Sequence, residues 1–429
     1  MDNKIQVIIV GAGPAGVSAA IKLAKTGKKV LLLDRSDSPG DKNMFGGCIY
    51  TYQTKANFYN YIDAPLERAI IEEKLIMLTD TDAVDVSYRY KYNNEYPAYT
   101  VIRSKWDKWC VEQAVKNGAI FAPKTLVKEL IVEKGKVVGV QTQFEKYYAD
   151  IVIIADGVNS LLAKQIGLRK DFKDSDMTLN VKEVYRLPRE RLEDRFKVSS
   201  IHGVSTRIIG GPLKDMFAMG FMYTNKDTIS LGFGVSIDEL KRNKLKPYEL
   251  MDKLKEHPAI KAYIKDAEFI EYSAHMIPEG SFDRIPKVYD NGVMVVGDAA
   301  GFIDNVHFEG TNLAMLSGTL AADTAIFALE KGDTSSSVLS MYYKKLKDSI
   351  ILKDLHTHND TISVLKKNIK TITTLYPEIA AKALSVIQCA DGRPKSEKYN
   401  ALYKEIMKSG IIPKSVPLGL FAMGKCLRK

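Results

Sequence analysis

Cysteine is scarce. The 429 residues hold four, Cys48, Cys110, Cys389 and Cys426, no two within three positions of each other. That spacing leaves no local C-x-x-C zinc site and no ligand set for a built-in iron–sulfur cluster. So few, so scattered, they point to free thiols in a reducing compartment. Tryptophan is scarcer: Trp106 and Trp109, three apart on one helical face, read as a core stripe before a stacking or electron-transfer pair. No run reaches the roughly 18 apolar residues of a membrane span, and the apolar stretch from 7 to 21 is short and glycine-rich. MDNKIQVIIVGAG lacks the basic region and cleavage site of a secretion signal. There is no internal repeat, no low-complexity linker and no basic–aromatic module for nucleic acid. These absences predict a cytoplasmic protein, soluble or peripheral at the cytoplasmic membrane, that binds no nucleic acid.

What is present is ordinary globular composition, 45% hydrophobic and 27% charged, enough for two or three packed units. The net charge of +10 comes from Lys and Arg spread along the chain. It reads as a solvated basic surface, or as a match for an acidic partner, an anionic cofactor or an anionic membrane. The tail 411–429 mixes apolar and basic residues and suits either a membrane surface or packing on the core.

KIQVIIV at 4–10 predicts a strand buried on both faces. GAGPAG follows, then a helical pattern ending near Gly27, then a second apolar strand over 28–36. Residues 94–102 read as extended, 103–119 as a helix, Lys134-Gly135 as a hairpin turn, and 148–160 as a third buried strand running into a turn. The character changes from about 170 to 288, where MFAMGFMY and TISLGFGVS flank TNKD as an antiparallel hairpin. The nucleotide-binding pattern resumes with a strand and turn at 291–305 and a long helix over 309–332, after which the chain reads as helices.

Gly11, Gly13 and Gly16 form G-x-G-x-x-G between a strand and a helix, with Asp34 18 residues beyond Gly16 at the end of the next strand. The glycines permit a tight turn, approach of backbone to a pyrophosphate, and close helix–strand packing. Phosphates then face helix N–H groups. An acid at position 34 accepts a ribose 2′-OH and repels a 2′-phosphate, which favours FAD or NAD over NADP. Asp298, in VVGDAAGF after a late buried strand, decides for FAD, whose long ribityl chain needs an acceptor far from the adenine; a turn or N-cap aspartate is the plainer alternative. A helix starting near Gly310 would aim its positive end at the flavin edge. His307 and Glu309 precede it, either as proton relays or as a loop histidine and a helix-start acid. The fold class is therefore α/β: a Rossmann-like FAD-binding domain (1–75, 100–168, 289–335), an inserted domain of antiparallel β-sheet plus helices (76–99, 169–288), and a helical C-terminal region (336–429).

GAGPAG with Asp34, RSKWDKW from Arg103, ADGVNS at 155–160 and GDAAGF at 297–302 resemble the hydroxybenzoate-hydroxylase and geranylgeranyl-reductase type of FAD-dependent oxidoreductase. GDKNMFGGCIY (40–50), APLER (64–68), FMYTNKDTISLGFGVSIDEL (221–240), EYSAHMIPEG (271–280) and EGTNLAMLSG (309–318) resemble, more narrowly, the FixC and electron transfer flavoprotein–ubiquinone oxidoreductase family. The resemblance runs from about residue 4 to at least 345. It implies that FAD meets the 11–16 loop with Pro14 and Ala15, and also Asp34, Arg35, Arg103, Val127, Asp156, Gly297, Asp298 and the segment Gly310, Thr311, Asn312. It further implies that the loop carrying Lys42, Asn43, Gly46 and Gly47 passes close to the cofactor and sets Cys48 beside the isoalloxazine. There a lone thiol packs or tunes the flavin but has no local partner for a redox disulfide. The quinone oxidoreductases carry a ferredoxin-like C-terminal domain with cluster-ligating cysteines; with only Cys389 and Cys426 in that region, no four-cysteine cluster is expected here. The family implies an electron-transfer-flavoprotein-like donor, with quinone or a separate ferredoxin-like protein as acceptor. Prenyl-lipid reduction of the geranylgeranyl type, FAD monooxygenation, and a non-catalytic subunit with structural FAD are the alternatives. No second G-x-G-x-x-G unit for NAD(P)H is evident, which fits a relay, and quinone and prenyl lipid both stay open as the lipid partner.

Overall fold

The computed structural model describes residues 4–41, 47–91 and 95–410. The candidate residues Lys42, Asn43 and Gly46, and the tail 411–429, lie outside them. The chain divides into two units: Met1–Ala69 with Glu95–Met177 and His275–Asn359, and Ile70–Asn94 with Thr178–Ala274 and Asp360–Lys429.

The first unit is built on a six-stranded sheet in the order Tyr289–Asp290, Val293–Val295, Ile151–Ile154, Val7–Val10, Val30–Leu33, Ile120–Ala122. Its central strands read VIIV, VLLL and IVII, and every one of these residues is buried. An unbroken apolar run is what a parallel strand needs when helices cover both faces, and the pairings Val7 with Ile151 and Val7 with Val30 are parallel. Only the edge strand Tyr289–Asp290 runs antiparallel. At about 1.5–3 kcal/mol per fully buried aliphatic side chain, these short strands form the stable centre of the unit.

The helices Pro14–Lys25, Arg103–Lys116 and Thr311–Lys331 flank this sheet. Trp106 of the second is buried and stacks on Trp109 with ring centres 5.5 Å apart, against Phe58. The pair is core. Among the described residues, Thr311–Lys331 is the one helix long and apolar enough to cross a bilayer, and most of its apolar face is buried inside the protein. Its buried positions are mostly small: Ala314, Gly318, Ala321, Ala322, Ala325 and Ala328. Gly318 touches the first helix directly, and a Cβ there would stand 2.0 Å from the Ala15 carbonyl oxygen. A small three-stranded sheet, Val127–Glu133, Lys136–Thr142 and Lys146–Tyr148, completes the unit with Cys48–Tyr50, which pairs with Ala98–Val101. The Lys134-Gly135 turn has positive φ at both residues (46° and 76°), the primed geometry that matches strand twist.

The second unit holds an antiparallel hairpin of Ala218–Thr224 and Thr228–Ser236, with Met177–Arg186 on its other side. His202–Gly210 and the greater part of Leu66–Leu78 extend the sheet, and Ala83–Arg89 pairs with that long strand. Asn225 closes the hairpin turn, donating from its side chain to Thr228 Oγ1 (3.0 Å) and Ser230 Oγ (3.2 Å). Val181, Leu192, Met222, Leu231, Phe233, Leu254 and Ile260 form its own core. The C-terminal helices divide: Ser336–Asp348 and Ile350–Thr357 belong to the first unit, and Tyr376–Gln388 and Lys395–Ser409 to the second.

In a helix, Gly→Ala ordinarily gains about 1 kcal/mol. At position 318 the methyl meets backbone, which cannot rotate away, and overpacking of this kind costs about 1–3 kcal/mol. Gly318→Ala is expected to lower the melting temperature of the protein, measured by circular dichroism, where propensity alone would raise it.

Candidate functional site

The turn after Val7–Val10 is set by backbone contacts. Gly11 has φ +108°, donates its N–H to the Leu33 carbonyl (2.8 Å), and leaves a Cβ only 2.1 Å from the Ala155 carbonyl oxygen. Ala155 in turn donates to the Val10 carbonyl (2.8 Å), so three neighbouring strand ends share one tight crossing. Pro14 occupies the first helical turn, where its missing N–H costs nothing. Gly13 is the N-cap and brings no capping side chain. The helix therefore offers its first N–H groups, and the positive end of its dipole, to an anion. Ala15 and Gly16 are buried in that first turn. Asp34 lies across the loop. Its Oδ2 accepts the Ala12 N–H (2.8 Å), and Oδ1 accepts the Ser36 N–H (2.8 Å) and the Ser36 hydroxyl. Arg35 next to it is exposed.

A cluster of charges lies in the same unit. Arg103, at the start of its helix, makes a two-pronged bond to Asp107 one turn on (Nε–Oδ1 2.8 Å, Nη2–Oδ2 2.9 Å), and both are buried. Asp298, in the turn Gly297–Ala300, has its pKa raised by burial, against the pull of Arg103 and Arg169. Arg169 donates to the Ala299 carbonyl (2.8 Å) and lies 3.5 Å above the Phe172 ring, while burial brings its pKa down to about 10. Its Nη2 is buried with no hydrogen-bond partner. Asp156 accepts the Leu162 N–H (3.3 Å) through Oδ2; its Oδ1 is buried without a partner, and burial pushes its pKa up to about 6.

The segment before the long helix is a closed loop, with backbone bonds in both directions between Asp304 and Glu309 (2.8 and 3.0 Å) and Phe308 at φ +61°. His307 and Glu309, paired by the sequence reading, have different partners here. His307 Nδ1 is 3.0 Å from Asp304 Oδ2, which also meets His358 Nδ1 at 3.0 Å. Glu309 Oε2 accepts from Asn312 Nδ2 (2.5 Å), which lies equally close to the Tyr52 hydroxyl. Asn312 is buried, with Oδ1 unpartnered, and burial pushes Tyr52 up to about 12, with the Glu309 charge adding to it. Gly310 is the N-cap of the helix that begins at Thr311. Gly47 accepts the Val101 N–H through its carbonyl (2.7 Å), and Cys48, half-buried in the next strand, is a thiol. Val127 is buried at the start of its strand.

Arg169, Tyr52, Asp304 and His358 were not singled out by the sequence. Arg169 and His358 lie 130 and 54 residues from their partners, and no local spacing advertises either.

A parallel sheet with a glycine turn, an uncapped helix start and unpaired buried polar atoms beside it define a dinucleotide-binding fold of Rossmann type. Residues 4–349 match the family model described as FAD binding domain. The chain is 39% identical over 416 residues to the protein FixC of Bradyrhizobium diazoefficiens, covering 95% of this chain and 96% of that one. It is 36% identical to the probable electron transfer flavoprotein-quinone oxidoreductase YdiS of Escherichia coli, covering 96% of each. Among solved structures it is similar to a geranylgeranyl bacteriochlorophyll reductase-like protein from Thermoplasma acidophilum (TM-score 0.69, 20% identity, 94% of this chain and 98% of that one). The flavin-dependent brominase Bmp2 is a second likeness (TM-score 0.66, 18% identity, 95% and 100%). These two speak to the fold alone. The chain belongs to the FixC and electron transfer flavoprotein–quinone oxidoreductase family of FAD-dependent flavoproteins, and acts in electron transfer with FAD as its cofactor.

Two outcomes follow from this geometry. Gly11→Ala would place a methyl against the Ala155 carbonyl at a backbone angle side chains rarely adopt, so the purified variant is expected to lack bound flavin absorbance. Asp156 holds its proton more tightly folded (about 6) than unfolded, so its effect is destabilising and grows as pH rises from the ordinary carboxylate value through about 6, then levels. Asp156→Asn is expected to melt with the wild type at low pH and above it at pH well past 6, with cofactor removed, in a series of thermal scans.

Proposed function

We propose that the chain takes electrons from an electron-transfer-flavoprotein-like donor and passes them to a quinone or to a separate ferredoxin-like protein. What carries the reading is similarity over nearly the whole length to relatives named FixC and probable electron transfer flavoprotein-quinone oxidoreductase. Among the described residues one strand–glycine-turn–helix crossing is built for a dinucleotide, which supports a protein partner over a resident nicotinamide as donor.

In this reading FAD supplies reversible uptake and release of electrons. The chain's part is to bind, orient and shield. The 11–16 loop, with the start of Pro14–Lys25, takes the pyrophosphate, and Asp34 with Arg35 takes the adenosine end. Arg103, Asp156, Gly297 and Asp298, together with Arg169, take the ribityl and phosphate hydroxyls and oxygens. The unpaired Asp156 Oδ1 and Arg169 Nη2 give that assignment polar atoms to use. The Gly310–Thr311–Asn312 helix start faces the flavin ring, where the Glu309–Asn312–Tyr52 chain holds Asn312 in one orientation. Lys42, Asn43, Gly46, Gly47 and Val127 complete the contact set, and Cys48 packs beside the ring as a single thiol. His307 and Glu309 stand at the approach to the flavin edge. A quinone acceptor is a lipid, so the protein would work in the cytoplasm at the membrane face.

The reading is tested by anaerobic reduction of the FAD-loaded protein, followed by flavin absorbance. A reduced electron transfer flavoprotein is expected to bleach it rapidly, and NADH and NADPH to leave it oxidised. Rapid bleaching by NADPH alone would instead support a prenyl-lipid reductase or a monooxygenase.

A further inference from the structure

One carboxylate oxygen in the first unit serves two imidazoles. Asp304 is 4% exposed. Its Oδ1 accepts the backbone N–H groups of Val306 (2.9 Å) and His307 (3.3 Å), which fixes the plane of the carboxylate and leaves Oδ2 for other partners. Oδ2 lies 3.0 Å from Nδ1 of His307 and 3.0 Å from Nδ1 of His358. The two rings are 4.7 Å apart at 42°. All three donor atoms fall within 4.8 Å of one another.

The oxygen has lone pairs for both rings, and the two Nδ1 atoms that converge on it stand in the arrangement of a shared ligand sphere as well as of two hydrogen bonds. A further acid, Asp354 on Ile350–Thr357, lies within electrostatic reach of Asp304. Two imidazole nitrogens and one oriented carboxylate oxygen are the donor set of a borderline divalent cation, whereas Mg²⁺ and Ca²⁺ choose oxygen. With metal bonds of about 2.0–2.1 Å, an N···O separation of 3.0 Å corresponds to a ligand angle of about 95°. His307, its side chain 57% exposed, can turn to bring its nitrogen onto the same centre, and it leaves an open side for water or a further ligand.

We propose that Asp304, His307 and His358 form a binding site for one borderline divalent cation, Zn²⁺ being the representative. The site does not depend on which donor or acceptor the flavin uses. A bound cation would tie the 304–309 loop to the end of Ile350–Thr357 and hold the segment that leads into Thr311–Lys331.

The full chain with FAD is stripped of metal with EDTA, dialysed and titrated with ZnCl₂, and bound zinc per chain is counted by elemental mass spectrometry after gel filtration. Co²⁺ is the optical probe, read to the red of the flavin bands. One Zn²⁺ per chain is expected, weakened at least about tenfold in His307→Gln and in His358→Gln, with the Co²⁺ band lost. Flavin absorbance of each variant reports that it is folded; the half-exposed His307 is the position whose replacement least disturbs packing, so its result stands if His358→Gln does not fold. No stoichiometric zinc on the wild type, or zinc bound unchanged by His307→Gln, overturns the site.

Discussion

Backbone meets backbone at the centre of the first unit, and most of the site follows from that closeness. The Gly11 turn lies against the Ala155 carbonyl, and Gly318 of the long helix lies against the Ala15 carbonyl. A side chain at either point would push strand ends or helices apart. With both contacts made, the helix start at Pro14, the turn Gly297–Ala300 and the start of Thr311–Lys331 become one rigid frame. The Ser317 hydroxyl, one residue before Gly318, accepts the Gly297 N–H (2.9 Å), so the helix contact and the Asp298 turn are coupled. Close packing of this kind transmits displacement, which is why a methyl far from any reacting atom would be felt at the cofactor.

The charges around that frame are arranged at a cost. Asp298 and Asp156 are both pushed toward their protonated forms by burial, and Arg169 is pulled toward its neutral form. Only Arg103 is fully answered, by Asp107. A protein selected for stability alone would fill these positions with apolar groups, since buried ions rarely repay their desolvation. Leaving Arg169 Nη2 and Asp156 Oδ1 unpaired is understandable where a polar ligand supplies the missing partners, and FAD carries hydroxyls and phosphate oxygens of that kind.

The fold was legible in the sequence wherever burial on both faces forces continuous apolar runs: VIIV, VLLL and IVII could hardly be anything else. The 218–236 hairpin was legible because TNKD interrupts two β-rich runs. The edges were not. Ala83–Arg89 is largely exposed along its whole length, so it carries no alternation to read. The C-terminal helices look alike in sequence, and only contact, which sequence does not encode locally, divides them at residue 360. At the site, the glycine turn and Asp298 announce themselves by spacing. Arg169 does not, because its role arises from a carbonyl 130 residues away.

His307 and Glu309 are close in sequence and apart in their contacts. Two apart in a loop, they invite a single relay. The positive φ of Phe308 between them reverses the chain, and the Asp304–Glu309 backbone pair closes the loop on itself. One side chain is thereby delivered to Asp304 and His358, the other to Asn312 and Tyr52. The second set belongs to the start of the long helix, whose dipole favours negative charge there. The first gathers imidazole nitrogens on a single oxygen. One short loop therefore carries two sets of contacts, and a single backbone reversal keeps them on separate partners.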